Sequence, residues 1–212
     1  MRDAIDPRFD YAESLSGPLP DYLLTVERQT HLKTIAPQMM SGRLQGRILA
    51  LLAKLTRPHR ILEIGTFTGY ATLCLAEGLR PGGRIVSVEG DPEHAARARR
   101  HFAASPFAGV IDLRQAEARD CLPDLTGPFE LIFLDGDKRG YPEYFPLLVE
   151  RLAPAGLLIA DNVLWDGKTS RKSDDEVARK LQAYNQLTAT HPLLETVVLP
   201  FRDGLSICRK RE

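Results

Sequence analysis

Phe129-Glu-Leu-Ile-Phe-Leu-Asp135-Gly-Asp137-Lys138, answered by Gly156-Leu-Leu-Ile-Ala-Asp161-Asn162, decides how this chain folds. Each segment is a short apolar run that stops at oxygen-bearing side chains, as a strand buried on both faces of a parallel sheet does. In open α/β sheets the carboxyl ends of such strands lie side by side and form the ligand crevice. Asp135, Asp161 and Asn162 then meet as two carboxylates and an amide oxygen, with Lys138 one loop away. That donor set suits a hard divalent cation, Mg²⁺ first and Ca²⁺ or Mn²⁺ as alternatives, because these ions take oxygen ligands and Mg²⁺ often uses only one or two carboxylates. Either strand end alone is better explained by the preference of Asp and Asn for turns and helix caps. Two neighbouring ends of the same kind favour the cation.

Strand-like runs at 60–65, 84–89 and 110–114 precede this pair, and helix-like segments at 71–79, 92–104, 117–122 and 144–152 lie between them. Such alternation predicts an α/β, Rossmann-like fold, a mostly parallel sheet with helices on both faces. After a helical stretch at 177–190, runs at 193–199 and 204–209 flank Pro200-Phe201-Arg202-Asp203. That connection is short enough for a hairpin, so a seven-stranded sheet with an antiparallel C-terminal hairpin is expected. Residues 1–57 read as an N-terminal helical region, with amphipathic stretches at 22–35 and 45–55 and an interruption at Pro37. One domain over 1–212 is expected from the length.

Charge narrows the partners. Lys plus Arg and Asp plus Glu both total 28, so the formal net charge is zero. A nucleic-acid footprint normally shows as a basic excess; neutrality argues against one without ruling out a local patch. Cys74, Cys121 and Cys208 have neither metal-ligand nor CxxC spacing and read as core fillers in a reducing compartment. The opening Met1-Arg-Asp-Ala-Ile-Asp-Pro7 lacks the apolar run of a signal peptide, and no segment reaches membrane-spanning length, so a cytoplasmic protein with no membrane partner is expected.

The first turn supplies the second half of the site. Glu63-Ile-Gly65-Thr-Phe67-Thr-Gly69-Tyr70 is a strand running into a glycine-bearing turn and a helix. Gly65 and Gly69 permit tight backbone and close ligand approach. A phenylalanine stands where a dinucleotide fingerprint wants its middle glycine, which argues against a nucleotide-binding dehydrogenase. An amino-acid tail, by contrast, can use a carboxylate such as Glu63 to meet its ammonium group. Glu89 ends the next strand, where Rossmann-like domains keep an acid for ribose hydroxyls; the plainer alternative is a solvated strand-end acid.

With these residues in view, the chain resembles the class I, cation-dependent O-methyltransferases that use S-adenosylmethionine, the group containing catechol and caffeoyl-CoA O-methyltransferases and small bacterial relatives. The resemblance runs from about Met39 to the C-terminus. It rests on four ordered elements: Glu63 to Tyr70, Asp135-Gly-Asp137-Lys138, Asp161-Asn162-Val-Leu-Trp165-Asp-Gly-Lys168 and Arg202-Asp-Gly204-Leu. It implies that Met39 and Ser41 lie beside the methionine portion of the cofactor, Glu63 and Gly65 at its amino-acid end, Glu89 at its ribose and Ala118 near its adenine. Gly69, Tyr70, Asp135 and Asp137 complete the implied cofactor contacts. Asp135, Asp161 and Asn162 match the metal ligands, and Lys138 matches the lysine proposed as base, with Asp135 beside it. On the residues alone, Lys138 is equally a surface lysine pairing with Asp137. Trp165 and Lys138 are the candidates for substrate contact, although a lone tryptophan is often a packing anchor. Ala116-Glu117-Ala118 departs from the family's usual Gly-Asp-Ala, and Ala71 stands where relatives often have serine.

The implied activity is methyl transfer from S-adenosylmethionine to a hydroxyl of a small catechol-like aromatic acceptor, with a divalent cation binding and activating it. The implied assembly is a homodimer, with the N-terminal helices making that contact or capping the acceptor. A tRNA hydroxyuridine O-methyltransferase and a non-catalytic cofactor-binding protein of the same fold are the alternatives.

Overall fold

A computed structural model describes residues 7–212, so most of the opening stretch assessed for a signal peptide lies outside the described residues. Helices α1 (Pro7–Leu15), α2 (Asp21–Lys33) and α3 (Gly42–Thr56) come first. Strand β1 (Arg60–Ile64), α4 (Tyr70–Ala76), β2 (Arg84–Glu89), α5 (Pro92–Ala103), β3 (Ile111–Gln115) and α6 (Ala118–Cys121) then alternate. After them come β4 (Phe129–Leu134), α7 (Tyr141–Arg151), β5 (Leu152–Ala160), α8 (Glu176–Thr190), β6 (Leu194–Leu199) and β7 (Leu205–Lys210).

The seven strands form one sheet in the order β3-β2-β1-β4-β5-β7-β6. β1 to β5 are mutually parallel, whereas β7 pairs antiparallel with both β5 and β6. The expected hairpin is present, with β7 rather than β6 against the parallel body. The chain runs outward from β1 through β2 to β3, then returns to place β4 on the other side of β1. That reversal opens a crevice at the carboxyl ends of the two central strands, where ligands of such sheets bind.

Both faces of the central strands are covered, which explains their unbroken apolar runs. Leu62, Ile64, Ile132 and Leu134 belong to one buried layer, with α7 and α8 residues such as Phe145 and Leu181. Ile61, Leu131, Phe133 and Ile159 belong to the other, with Leu49 and Ala53 of α3 and Leu75 of α4.

The structure departs from the sequence expectations in three elements. α1 was not anticipated as a separate helix; none of its side chains is buried, so it carries no apolar stripe to read. α6 is a four-residue turn of helix. β5 starts at Leu152 directly after α7, earlier than the apolar run at 156–160 suggests. Among the described residues no helix is long and apolar enough to cross a membrane.

Candidate active site

A cavity of about 520 Å³ opens at the carboxyl ends of β1, β2, β4 and β5, within the size range of small-molecule sites. Its β1 side is shaped by glycine. Gly65 has φ +91°, and a Cβ there would lie 2.4 Å from the Asp135 carbonyl oxygen, so no other residue lets the β1 turn pass the end of β4. The following amides are already committed: Thr66 N–H and Phe67 N–H both donate to Glu89 Oε2, at 3.1 and 2.7 Å. A pyrophosphate needs such amides bare, so the turn is closed to a dinucleotide in the usual manner. Glu89 Oε1 also accepts from the Asp91 amide at 3.0 Å, yet the residue still lines the cavity. Phe67 presents its ring edge-on to His94, with centroids 4.7 Å apart.

The β4 and β5 ends supply the charged wall. Lys138 Nζ stands 2.6 Å from Asp135 Oδ1, with the lysine side chain only 13% exposed, so the pair is internal and the surface pairing with Asp137 does not form. Burial pushes Asp135 up to about 6 against the pull of the Lys138 ammonium, and the nearby Asp161 carboxylate adds to the rise. Asp161 is buried and doubly held: Gln45 Nε2 donates to Oδ2 at 2.7 Å, and the Asn162 amide donates to Oδ1 at 2.7 Å. Asn162 adopts φ 60°, and its side-chain amide donates to Asp203 Oδ2 at 3.3 Å. Beneath them the Tyr141 hydroxyl donates to the Leu134 carbonyl at 2.9 Å, fixing the end of β4. Trp165 lines the cavity and also donates from Nε1 to Asp175 Oδ2 at 3.2 Å, while Lys168 reaches the same oxygen at 2.9 Å. The charged loop after Trp165 is thereby tied to the N-cap of α8.

Asp135, Asp161 and Asn162 thus face one cavity together with Lys138, Asp137, Trp165, Met39, Ser41, Gly65, Tyr70 and Glu89. Among the described residues no group of three or more His, Cys, Asp or Glu side chains is placed to hold a metal. The available set is two carboxylates and an amide, which fits an ion that completes its shell with water or substrate. Burial does most to raise Asp135, and a cation bound between it and Asp161 would relieve the smaller contribution from their mutual repulsion.

Three expected cofactor residues lie off the cavity wall. Glu63 is fully buried behind it, its Oε2 accepting from Thr72 and Ser87 at 2.5 Å each. Gly69 faces α5, where an added Cβ would meet the Phe102 ring at 2.4 Å, so its role here is packing. Ala118 opens the short α6 and does not reach the cavity. Conversely, His94 and Arg202 line the cavity and Gln45 stands behind Asp161, none of them singled out from the sequence as site residues. The signal for Gln45 was present: a polar residue on the buried face of α3.

The sequence pattern of the O-methyltransferase family matches residues 13–211. The chain belongs to the class I, S-adenosylmethionine-dependent O-methyltransferases. A catechol O-methyltransferase of Niastella koreensis is 36% identical to this methyltransferase over 160 residues, covering 73% of this chain and 72% of that one. A caffeoyl-CoA O-methyltransferase of Eucalyptus globulus is 31% identical over 178 residues, covering 78% and 72%. Among solved structures, an O-methyltransferase from Bacillus cereus in complex with SAH superposes with a TM-score of 0.89 at 28% identity, covering 95% of this chain and 96% of that one.

Proposed function

We propose that this methyltransferase transfers the methyl group of S-adenosylmethionine to one hydroxyl of a vicinal dihydroxy aromatic acceptor, with a divalent cation held by Asp135, Asp161 and Asn162. The observation that carries this reading is the shared cavity: oxygen donors at the ends of β4 and β5 face the glycine turn of β1 across a single space. Displacement at a sulfonium methyl needs an oxygen nucleophile in line with the breaking bond, so orientation is the enzyme's main task and is worth up to roughly 7–11 kcal/mol. A bound cation supplies Lewis acidity that lowers the pKa of the acceptor hydroxyl.

The chain's own residues do the rest. Met39, Ser41, Gly65, Tyr70, Glu89 and Asp137 wall the cofactor side. Lys138 Nζ, 2.6 Å from Asp135 and largely withdrawn from water, is the group we assign to take the hydroxyl proton, after first releasing its own ammonium proton to solvent. Gln45 and the Asn162 amide fix the Asp161 carboxylate, and Trp165, steadied by Asp175, offers a ring for the acceptor to lie against.

The test is an acceptor panel of catechol, caffeic acid, a monohydroxylated control and tRNA, each with and without EDTA. Methylation of the two vicinal diols, loss of it with EDTA and recovery with Mg²⁺ are the expected results. Methylation of tRNA in place of the diols, or equal turnover of the monohydroxylated control, overturns the reading.

A further inference from the structure

A small cleft between α2 and α5 lies against the turn after β1 and shares no lining residue with the cavity described above. Thr68 of that turn and Thr30 of α2, both buried, stand at its base. The Thr30 hydroxyl donates to the Val26 carbonyl at 2.8 Å, so across their own 2.8 Å contact the Thr68 hydroxyl donates to Thr30. His101 of α5 meets the Thr68 carbonyl at 2.8 Å through Nδ1. A carbonyl can only accept, so Nδ1 carries the proton and Nε2 is the ring nitrogen left over. Thr66 and Phe67 of the same turn are held by Glu89. The turn is thus clamped twice, by the end of β2 at Thr66 and Phe67, and by α2 and α5 at Thr68.

The cleft is positive. Lys33, Arg97 and Arg100 line it beside His101, and no carboxylate does. Arg97 is paired with Glu93, one turn earlier on α5, whose side chain is 71% exposed. Lys33 and Arg100 are exposed and make no ion pair among the described residues. Burial, and after it the charges of Arg100, Arg97 and Lys33, hold the His101 imidazole below its ordinary value against the opposing pull of the Thr68 carbonyl. Lys33 and Arg100 stand in the last turns of α2 and α5, where cations answer the helix dipole. Each helix end offers only about half a charge, so the two ends and Glu93 offset about two of the three full cations. In a chain whose charges balance at 28 of each sign, this surplus is local. The space, about 30 Å³, admits one small group and no larger molecule. A tetrahedral oxyanion is the chemistry that an ammonium and two forked guanidinium groups recognise together.

We propose that this cleft binds a phosphate group, either as the free ion or at the end of a small metabolite, and that its occupation steadies the turn bordering the main cavity. The phosphate oxygens bridge Lys33 of α2 to Arg97 and Arg100 of α5, which draws the two helices together over Thr68. The same negative charge relieves the repulsion around His101. Coupling between two ligands is reciprocal, so phosphate tightens cofactor binding by the factor that the cofactor tightens phosphate. This site is independent of the acceptor and of the cation.

The experiment titrates the full chain with inorganic phosphate and, in a parallel arm, with glycerol phosphate, at an ionic strength held constant with sodium chloride. The readouts are melting temperature, the imidazole resonances of His101 and SAH affinity by calorimetry. Saturating phosphate is expected to raise the melting temperature by about 3 °C or more beyond the chloride control, to move the His101 resonances and to tighten SAH about fivefold. Lys33→Glu/Arg100→Glu should abolish all three responses. Its melting temperature in chloride should stay within about 4 °C of wild type, and its SAH affinity without phosphate within about twofold, which certifies the fold. Should the reversal unfold the chain, Lys33→Gln/Arg100→Gln puts the same question with less disturbance. A response to glycerol phosphate equal to that of the free ion assigns the site to the end group of a metabolite, and a response to inorganic phosphate alone assigns it to the ion; both support the proposal. A melting temperature that follows ionic strength alone, or a phosphate response unchanged in the variants, overturns the site. Phosphate binding that leaves SAH affinity unmoved overturns the coupling.

Discussion

Glu63 shows how a single buried group links stability to the site. Its Oε2 accepts from both Thr72 and Ser87, and since Ser87 donates there, Thr66 must donate to Ser87 across their 2.5 Å contact. The chain of hydroxyls therefore runs from the turn after β1 back to Glu63 on β1 itself. Among the described residues Oε1 has no partner, and burial pushes the carboxyl up to about 8 from its usual 4.5, which favours the protonated form in the fold at neutral pH. The sign of the linkage follows. An acid raised on folding contributes stability below its unfolded pKa and loses that contribution as pH rises through its folded pKa. The ligand-free protein should lose melting temperature between pH 5 and pH 8, and Glu63→Gln should flatten that fall by keeping the group neutral throughout. Parallel curves for the two proteins in a pH series of thermal melts would show that the carboxyl is ionised in the fold.

At the scale of elements, the contact of the β1 turn with the end of β4 joins the two halves of the cavity. Gly65→Ala places a methyl against the Asp135 carbonyl and forces an alanine to φ +91°, for which the backbone penalty alone is about 1–2 kcal/mol. For a chain of this size each kcal/mol lowers the melting temperature by about 2–4 °C, so a fall of at least about 2 °C is expected, together with loss of SAH binding by calorimetry. Gly136→Ala is the control: its Cβ would come nearest the Ile64 Cγ2 methyl, at 3.1 Å, with the Ile64 backbone no nearer than 3.7 Å and without a positive φ, and should change little. A Gly65→Ala protein that melts and binds like wild type would refute the contact. These central elements were legible because strands buried on both faces cannot hide their apolar runs, and because Asp135, Asp161 and Asn162 sit where those runs stop. α1 was not legible, since Phe9 meets its partner Phe201 far along the chain and nothing local records it. His94 has no local signal either, since its place on the cavity wall goes with an edge-to-face contact with Phe67 from the neighbouring turn. Glu63 is expected from the sequence to meet the ammonium of an amino-acid tail, but nothing local says that Thr72 and Ser87 reach its carboxyl from α4 and β2.

For the whole molecule, the strand order separates tasks across one sheet. β1 and β2 carry the turn residues on one side of the cavity, β4 and β5 carry the oxygen donors on the other, and α1 with the β6–β7 turn borders a second cavity beyond. If the division is physical, the two ligands can be uncoupled by mutation. A ligand that binds only the folded state at one hundred times its Kd stabilises by about 2.7 kcal/mol, which corresponds to a rise of roughly 5–11 °C here. Saturating SAH should produce such a rise in both the wild type and Asp161→Ala, because Asp161 belongs to the β5 end and its hydrogen bonds go to Gln45 and the Asn162 amide. Mg²⁺ should raise the melting temperature of the wild type but not of the variant, and catechol turnover should fall at least about a hundredfold. An SAH shift lost in step with the Mg²⁺ shift would mean that Asp161 holds the whole crevice together, and that the two halves of the sheet do not act separately.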